Sequence, residues 1–274
     1  MKELLIPFGY NKNTGAIVEP EDAERGRACN CICPGCRAPL LSRHPKVKRA
    51  NFAHDSKNKT ENPLKDCPFS SAVAIAMMAR NLVDEYAGKS LSTPEQSVMH
   101  SYECCGQTDQ IIVSTGAINT IDSAESNVSL AGQNVDLKFV IAGYPIYIDL
   151  VYGGKHPVSV PNEVLQENKA GLLRLYCSSF STSDFSNNRD MRFSEAVLNF
   201  VLVNGFKDWE FHPREASCLH NTVLNHQCRK SSDLVYGSSR KFQCMVCDLT
   251  WEKAFSQPFV CPECNATHLY QREL

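Results

Sequence analysis

Between Asn134 and Tyr152 the chain alternates between apolar and polar positions with a period of two on either side of Ala142-Gly143-Tyr144-Pro145. Val135, Leu137, Phe139 and Ile141 alternate with Asp136, Lys138 and Val140; Ile146, Ile148 and Leu150 alternate with Tyr147, Asp149 and Val151. This period puts successive side chains on opposite faces of a strand, so the stretch predicts a β-hairpin with one core face. Its other face offers an aspartate from each strand.

Around the hairpin the pattern changes to helical spacing. Ser70–Ala87 reads as an Ala/Val/Ile/Met-rich helix opened by a serine cap and stopped at Gly88. Pro161–Ala170 has helix-start chemistry, and Phe193–Asn204 is an apolar helix ended by Gly205. Gly171–Cys177 reads as a strand, so the order strand, helix, strand predicts a crossover to a parallel partner. Glu3–Phe8 and Ala117–Asp122 read as short strands, and Ser97–Cys104 with Asp109–Ser114 as a second hairpin. Ser123–Gln133 and Ser178–Asp190 are polar enough to read as loops.

At 274 residues the chain holds either one large domain or a medium domain with small satellites. A formal charge of −2 gives no global attraction to nucleic acid, so any such contact must come from a local patch. No signal-peptide core and no run of about 18 apolar residues is present. These features lead to the expectation of a cytoplasmic chain with no membrane partner.

The fourteen cysteines change the picture most. In a reducing compartment, close cysteine pairs are metal ligands more often than disulfides. Cys33-Pro-Gly-Cys36 is a knuckle that aims two thiolates at one point; His54 and Cys67 are the candidates to complete a tetrahedral zinc site, with Cys29 and Cys31 as competitors. Arg37, Arg43, His44, Lys46, Lys48 and Arg49 lie between those ligands, either as a phosphate-contacting patch or as a solvated charged loop. Near the other end, Cys244 and Cys247 are followed after thirteen residues by Cys261 and Cys264, the spacing of a zinc ribbon, with Trp251 and Phe255 as its small core. Cys218, His220, His226 and Cys228 form a symmetric C-x-H-x5-H-x-C that matches no standard zinc spacing. Cys104 and Cys105 read as buried or strand residues.

The order of these parts resembles the competence protein CoiA-like family. Cys33-Pro34-Gly35-Cys36, Ala38-Pro39-Leu40 and Asn51-Phe52-Ala53-His54 carry the first half of the likeness; Val135-Asp136 and Ile148-Asp149-Leu150-Val151 carry the second. Lys207–Glu215 is similar to a tryptophan-containing segment that follows the core in related proteins. The likeness spans about residues 29–215, with the ribbon as an addition.

The resemblance implies an α+β or α/β fold: a mixed-sheet PD-(D/E)xK nuclease-like core flanked by small zinc modules. The expected boundaries are 1–69 for the N-terminal zinc-finger-like module, 70–215 for the core and 216–274 for the zinc-ribbon region. It further implies Mg²⁺ held by Asp136 and Asp149, with phosphodiester hydrolysis as the chemistry. A lysine is expected two residues after the second acid, where this chain has Val151. Lys138, two residues from Asp136, is the first candidate to supply it, and Lys155 in the following loop the second. The usual helix glutamate is replaced by Ser70-Ser71, with Glu95 or Glu125 as substitutes.

Three functions fit these features. The first is a Mg²⁺-dependent nuclease acting on nucleic acid, DNA foremost, with structural Zn²⁺. The second is an inactive nuclease-fold zinc protein that binds nucleic acid or a protein partner. The third is a zinc-stabilised scaffold.

Overall fold

In the computed structural model the central hairpin lies in the middle of a five-stranded mixed sheet. The structure describes residues 6–55, 67–226, 240–244, 246–253, 262–264 and 271–273. The first half of the expected strand Glu3–Phe8, residues 3–5, therefore lies outside the described residues. By internal contacts the chain divides into two units. The larger contains Met1–Met99 and Gln110–Thr222, and the smaller contains His100–Asp109 and Val223–Leu274.

The larger unit begins with β1 (Gly9–Asn11), β2 (Ile17–Val18) and β3 (Cys31–Ile32), which form a three-stranded antiparallel sheet in the order β2-β1-β3. The antiparallel pair β4 (Leu40–Arg43) and β5 (Asn51–His54) comes next. Ala23, Cys29, Cys31, Cys33, Leu40 and Phe52 form a small core of their own. Cys29 and Cys31 are buried in it, and their thiols reach the carbonyls of Leu40 and Cys29. Both sulfurs therefore serve as core atoms.

Arg49 is also buried, so it leaves the expected basic patch. Its guanidinium donates to the carbonyls of Phe185 (2.9 Å), Asn188 (3.0 Å) and Met191 (2.6 Å), and it lies 3.7 Å from the centre of the Phe185 ring. Glu21 offsets the charge. Truncating one partner of such a network strands the others without water. Arg49→Ala is expected to lower unfolding stability by about 3 kcal/mol. Chemical denaturation checks this; a loss below about 1 kcal/mol would mean that the carbonyls find other donors.

Helix α1 (Ser71–Asn81) starts as the sequence predicts, with the Ser70 hydroxyl accepting from the Val73 amide. It ends earlier, giving way to a 3-10 turn at Val83–Glu85. The hairpin β6 (Ser90–Ser101) and β7 (Thr108–Thr120) is longer than expected and absorbs the separate strand read at Ala117–Asp122. Strand β8 (Ser123–Leu130) forms where a loop is expected. Its polar residues suit a sheet edge: β9 (Gln133–Ile141) supplies the backbone partners on one side, and every second side chain is exposed.

Strand β9 turns through Ala142-Gly143, both with positive φ, into β10 (Tyr144–Val151), and Ile148 lies opposite Leu137. After β10, α2 (Asn162–Glu167) crosses to β11 (Gly171–Tyr176), which pairs parallel to β10 as the strand-helix-strand order predicts. Helix α3 (Thr182–Asn187) lies in the stretch read as a loop. Helix α4 (Phe193–Asn199) continues as a π-helical turn to Asn204, and β12 (Lys207–Phe211) closes the sheet antiparallel to β11. The order is β12-β11-β10-β9-β8.

One face of the sheet packs Leu137, Phe139, Ile148, Leu150, Leu173 and Leu175 against α1 and α4, through Ile75, Met78, Ala79, Val197 and Val201. A second cluster packs Val135, Tyr147, Leu172 and Phe211 around Leu165 of α2. Val135 and Leu137 thus join different clusters although they are two residues apart.

Helix α5 (Glu215–Asn225) comes after the sheet. In the smaller unit β13 (Arg240–Cys244), β14 (Thr250–Lys253) and β15 (Gln271–Glu273) form an antiparallel sheet in the order β14-β13-β15, and Phe242 lies 6.1 Å from Trp251 between ring centres. Phe255 lies outside the described residues. Among the described residues no helix is long and apolar enough to cross a membrane.

Candidate metal centres and an acidic site

Cys33, Cys36, His54 and Cys67 converge, with all four ligand atoms within 4.8 Å of one another. Cys33 and Cys36 flank the Pro-Gly turn, His54 ends β5, and Cys67 lies just before α1. Cys33 Sγ is 3.6 Å from Cys67 Sγ, and Cys36 Sγ is 3.3 Å from His54 Nε2. In a zinc tetrahedron with the usual bond lengths those edges are about 3.8 and 3.6 Å. The donor set fits Zn²⁺ in softness and number. A Cβ on Gly35 would sit 2.7 Å from Phe69 Cβ, so the knuckle needs glycine there.

Burial shifts both donor types in opposite senses. It lowers the His54 pKa, which favours the neutral, metal-binding imidazole. It raises the Cys33 thiol to about 12, so zinc must displace a proton there and binding releases it.

In the ribbon Cys244, Cys247 and Cys264 come together, with Cys244 Sγ 3.5 Å from Cys264 Sγ. The expected fourth ligand, Cys261, lies outside the described residues. Of the symmetric set at 218–228, Cys218 and His220 lie on α5, His226 comes just after that helix, and Cys228 lies outside the described residues; among the described residues Cys218, His220 and His226 form no ligand group of three.

The aspartates meet as the hairpin predicts. Asp149 is fully buried and Asp136 nearly so. Asp149 Oδ2 accepts from the Val158 amide at 2.9 Å, and Asp136 Oδ2 from the Leu150 amide at 2.8 Å. The remaining partners differ from the first choice. Lys138 is paired with Glu125 at 2.7 Å and does not reach the aspartates, whereas Lys155 does. The Lys155 ammonium donates to Asp136 Oδ2, to Asp149 Oδ1 at 2.5 Å and to the Leu150 carbonyl at 3.1 Å. Glu125 is engaged by Lys138, and Glu95 is exposed.

Arg80, near the end of α1, donates to Asp136 Oδ1 at 2.6 Å. The sequence carries a usable signal for it: Arg80 is the one charged residue in α1. Burial alone would lower the Lys155 pKa, but hydrogen bonds and charge from Asp136 and Asp149 outweigh it, and the net shift is upward. The ammonium is therefore held charged.

Three oxygens from two strands thus point at one cation position: Asp136 Oδ2, Asp149 Oδ1 and Leu150 O. All are hard donors, the type that suits Mg²⁺ and not zinc. The ammonium of Lys155 marks the position.

A separate concavity of about 510 Å³ lies on the N-terminal module, lined by Arg25, Arg43, His44 and Lys48 among others. Comparison of the chain with protein-family models, with curated proteins and with solved structures finds no match.

Proposed function

We propose that this chain is a metal-dependent nuclease with a PD-(D/E)xK-like core, hydrolysing phosphodiester bonds in nucleic acid, DNA foremost. The observation that carries the reading is the convergence of Asp136 Oδ2, Asp149 Oδ1 and Leu150 O on one cation position beside a lysine. The mixed sheet, with its antiparallel acidic hairpin and helical crossover to a parallel strand, agrees with what the CoiA-like resemblance implies.

Asp136, Asp149 and the Leu150 carbonyl would hold Mg²⁺. When bound, that ion supplies polarisation of the scissile phosphate and a lowered pKa for the attacking water. The residues of the chain do the rest. The amides of Leu150 and Val158 fix the two carboxylates, so these need not move when a cation replaces the Lys155 ammonium. Lys155 reaches both acids and comes from the loop after β10, replacing the lysine missing at Val151. Released from the cation position, its ammonium orients the water and offsets developing negative charge. Arg80 holds the outer oxygen of Asp136. The basic concavity at Arg25, Arg43, His44 and Lys48 supports a contact to the phosphate backbone.

A second reading has specific support. Arg80 and Lys155 together balance the charges of Asp136 and Asp149, which lessens the pull on an added cation. On that reading the chain is an inert nuclease-fold protein that binds nucleic acid or a protein partner through its zinc modules.

The lysines separate the two. In the presence of Mg²⁺ or Mn²⁺, Lys155→Met is expected to reduce DNA cleavage by about 100-fold or more, the order found when one transition-state donor is removed. Lys138→Met should change it by less than about threefold, since its exposed pair with Glu125 contributes little. Equal activity in wild type and Lys155→Met would remove Lys155 from the chemistry.

A further inference from the structure

We propose that Cys104, Cys105 and His226 form a third zinc site, distinct from both knuckle sites and independent of the nuclease reading. Their ligand atoms all lie within 4.8 Å of one another, although Cys105 and His226 are 121 residues apart in the chain. All three belong to the smaller unit, so the cluster is internal to it.

The local structure is built to present these atoms. The chain leaves β6 at Ser101 and turns back through Cys104 and Cys105, closed by the Gly106 amide donating to the Tyr102 carbonyl at 2.8 Å. Gly106 takes a φ of +68°, which favours glycine. The turn leaves both cysteines exposed, against the expectation that they are buried or strand residues. Cys105 Sγ is 3.4 Å from His226 Nε2, close to the sulfur–nitrogen edge of about 3.6 Å in a zinc tetrahedron.

The imidazole is braced as well. Its ring stacks on Tyr102, with centres 3.5 Å apart and planes at 8°, and His100 meets the same tyrosine edge-on at 4.9 Å. Neighbours that fix the orientation of an imidazole aimed at a thiol pair hold it ready for a metal. Two thiolates and an imidazole are soft to borderline donors and select zinc over magnesium or calcium. Three protein ligands leave one tetrahedral position, which a water molecule can take.

The consequence is a cross-link between the turn at residues 100–109 and the chain that leads into the ribbon. In a unit this short a metal cross-link adds to the limited stability that packing supplies.

The test uses the full chain, kept reduced, with and without zinc. Iodoacetamide labelling and peptide mass spectrometry read Cys104 and Cys105 directly. In wild type, zinc is expected to slow their alkylation at least tenfold, and His226→Ala should abolish that protection while leaving Cys33 and Cys36 protected. Zinc content should fall by one equivalent per chain in His226→Ala and in Cys105→Ser. Alkylation of Cys104 and Cys105 in wild type at the same rate with and without zinc would overturn the site, as would unchanged zinc content in both variants.

Discussion

Asp149→Asn should abolish Mg²⁺-dependent cleavage, by three orders of magnitude or more, in a protein that still folds. Asparagine keeps the shape and leaves a carbonyl oxygen for the Val158 amide, so the local backbone retains its partner. The substitution removes the charge. The cation position then has one carboxylate in place of two, and Asp136 is already shared between Arg80 and Lys155. A divalent ion cannot compete for a site with surplus positive charge, so both its affinity and the polarisation it supplies fall together. With that oxygen on the Val158 amide, the substitution puts an amide nitrogen against the Lys155 ammonium, at a stability cost of about 1–3 kcal/mol. Cleavage time courses at saturating Mg²⁺, paired with thermal unfolding, separate the two effects. Activity within tenfold of wild type would show that Asp149 is a structural acid.

Removing a ligand of the N-terminal cluster of three cysteines and a histidine should have the largest effect on stability. Cys36→Ser, or chelation of the wild type, is expected to melt the module around Cys33, Cys36, His54 and Cys67 and to cost more than about 5 kcal/mol. The reason lies in its size. Among the described residues its own core has six buried members, three of them cysteines. Structural zinc sites in small modules contribute about 10–16 kcal/mol of apparent binding free energy at neutral pH. The Cys33 thiol is pushed up to about 12, so the proton it must release gives the site a pH dependence. Zinc affinity should rise with pH across the neutral range, because each step up lowers the cost of the deprotonation. Zinc release by competition with a chromogenic chelator at two pH values, together with the unfolding midpoint, measures both. An unchanged midpoint in Cys36→Ser would contradict a structural role.

The elements legible in the sequence are those set by short-range pattern. Period-two alternation locates β9 and β10, and the interrupted apolar runs locate α1, α2 and α4. Ligand chemistry alone groups Cys33, Cys36, His54 and Cys67, and the fold brings them to one point. Strand β8 is hidden because an edge strand with one open face can be built from Ser, Glu and Asn once a neighbour supplies the ladder. Pattern favours Lys138 over Lys155 because residues i and i+2 share a face. Lys138 instead pairs with Glu125, the residue opposite it on β8. The loop after β10 then carries Lys155 back to the two acids. Arg49 has the sequence neighbourhood of a surface cation, yet three carbonyls far along the chain claim its guanidinium. The meeting of Cys104 and Cys105 with His226 arises from tertiary structure alone, since no local spacing connects them.

The most direct measurement is the cleavage of single- and double-stranded DNA and RNA by the zinc-loaded wild type, with and without added Mn²⁺ or Mg²⁺. Cleavage of at least one substrate that requires the added ion and disappears in Asp149→Asn is the expected result. No cleavage of any substrate, by a protein shown to be folded and to carry its zinc, would contradict the nuclease assignment and leave Asp136, Asp149, Arg80 and Lys155 as a charge-balanced structural network.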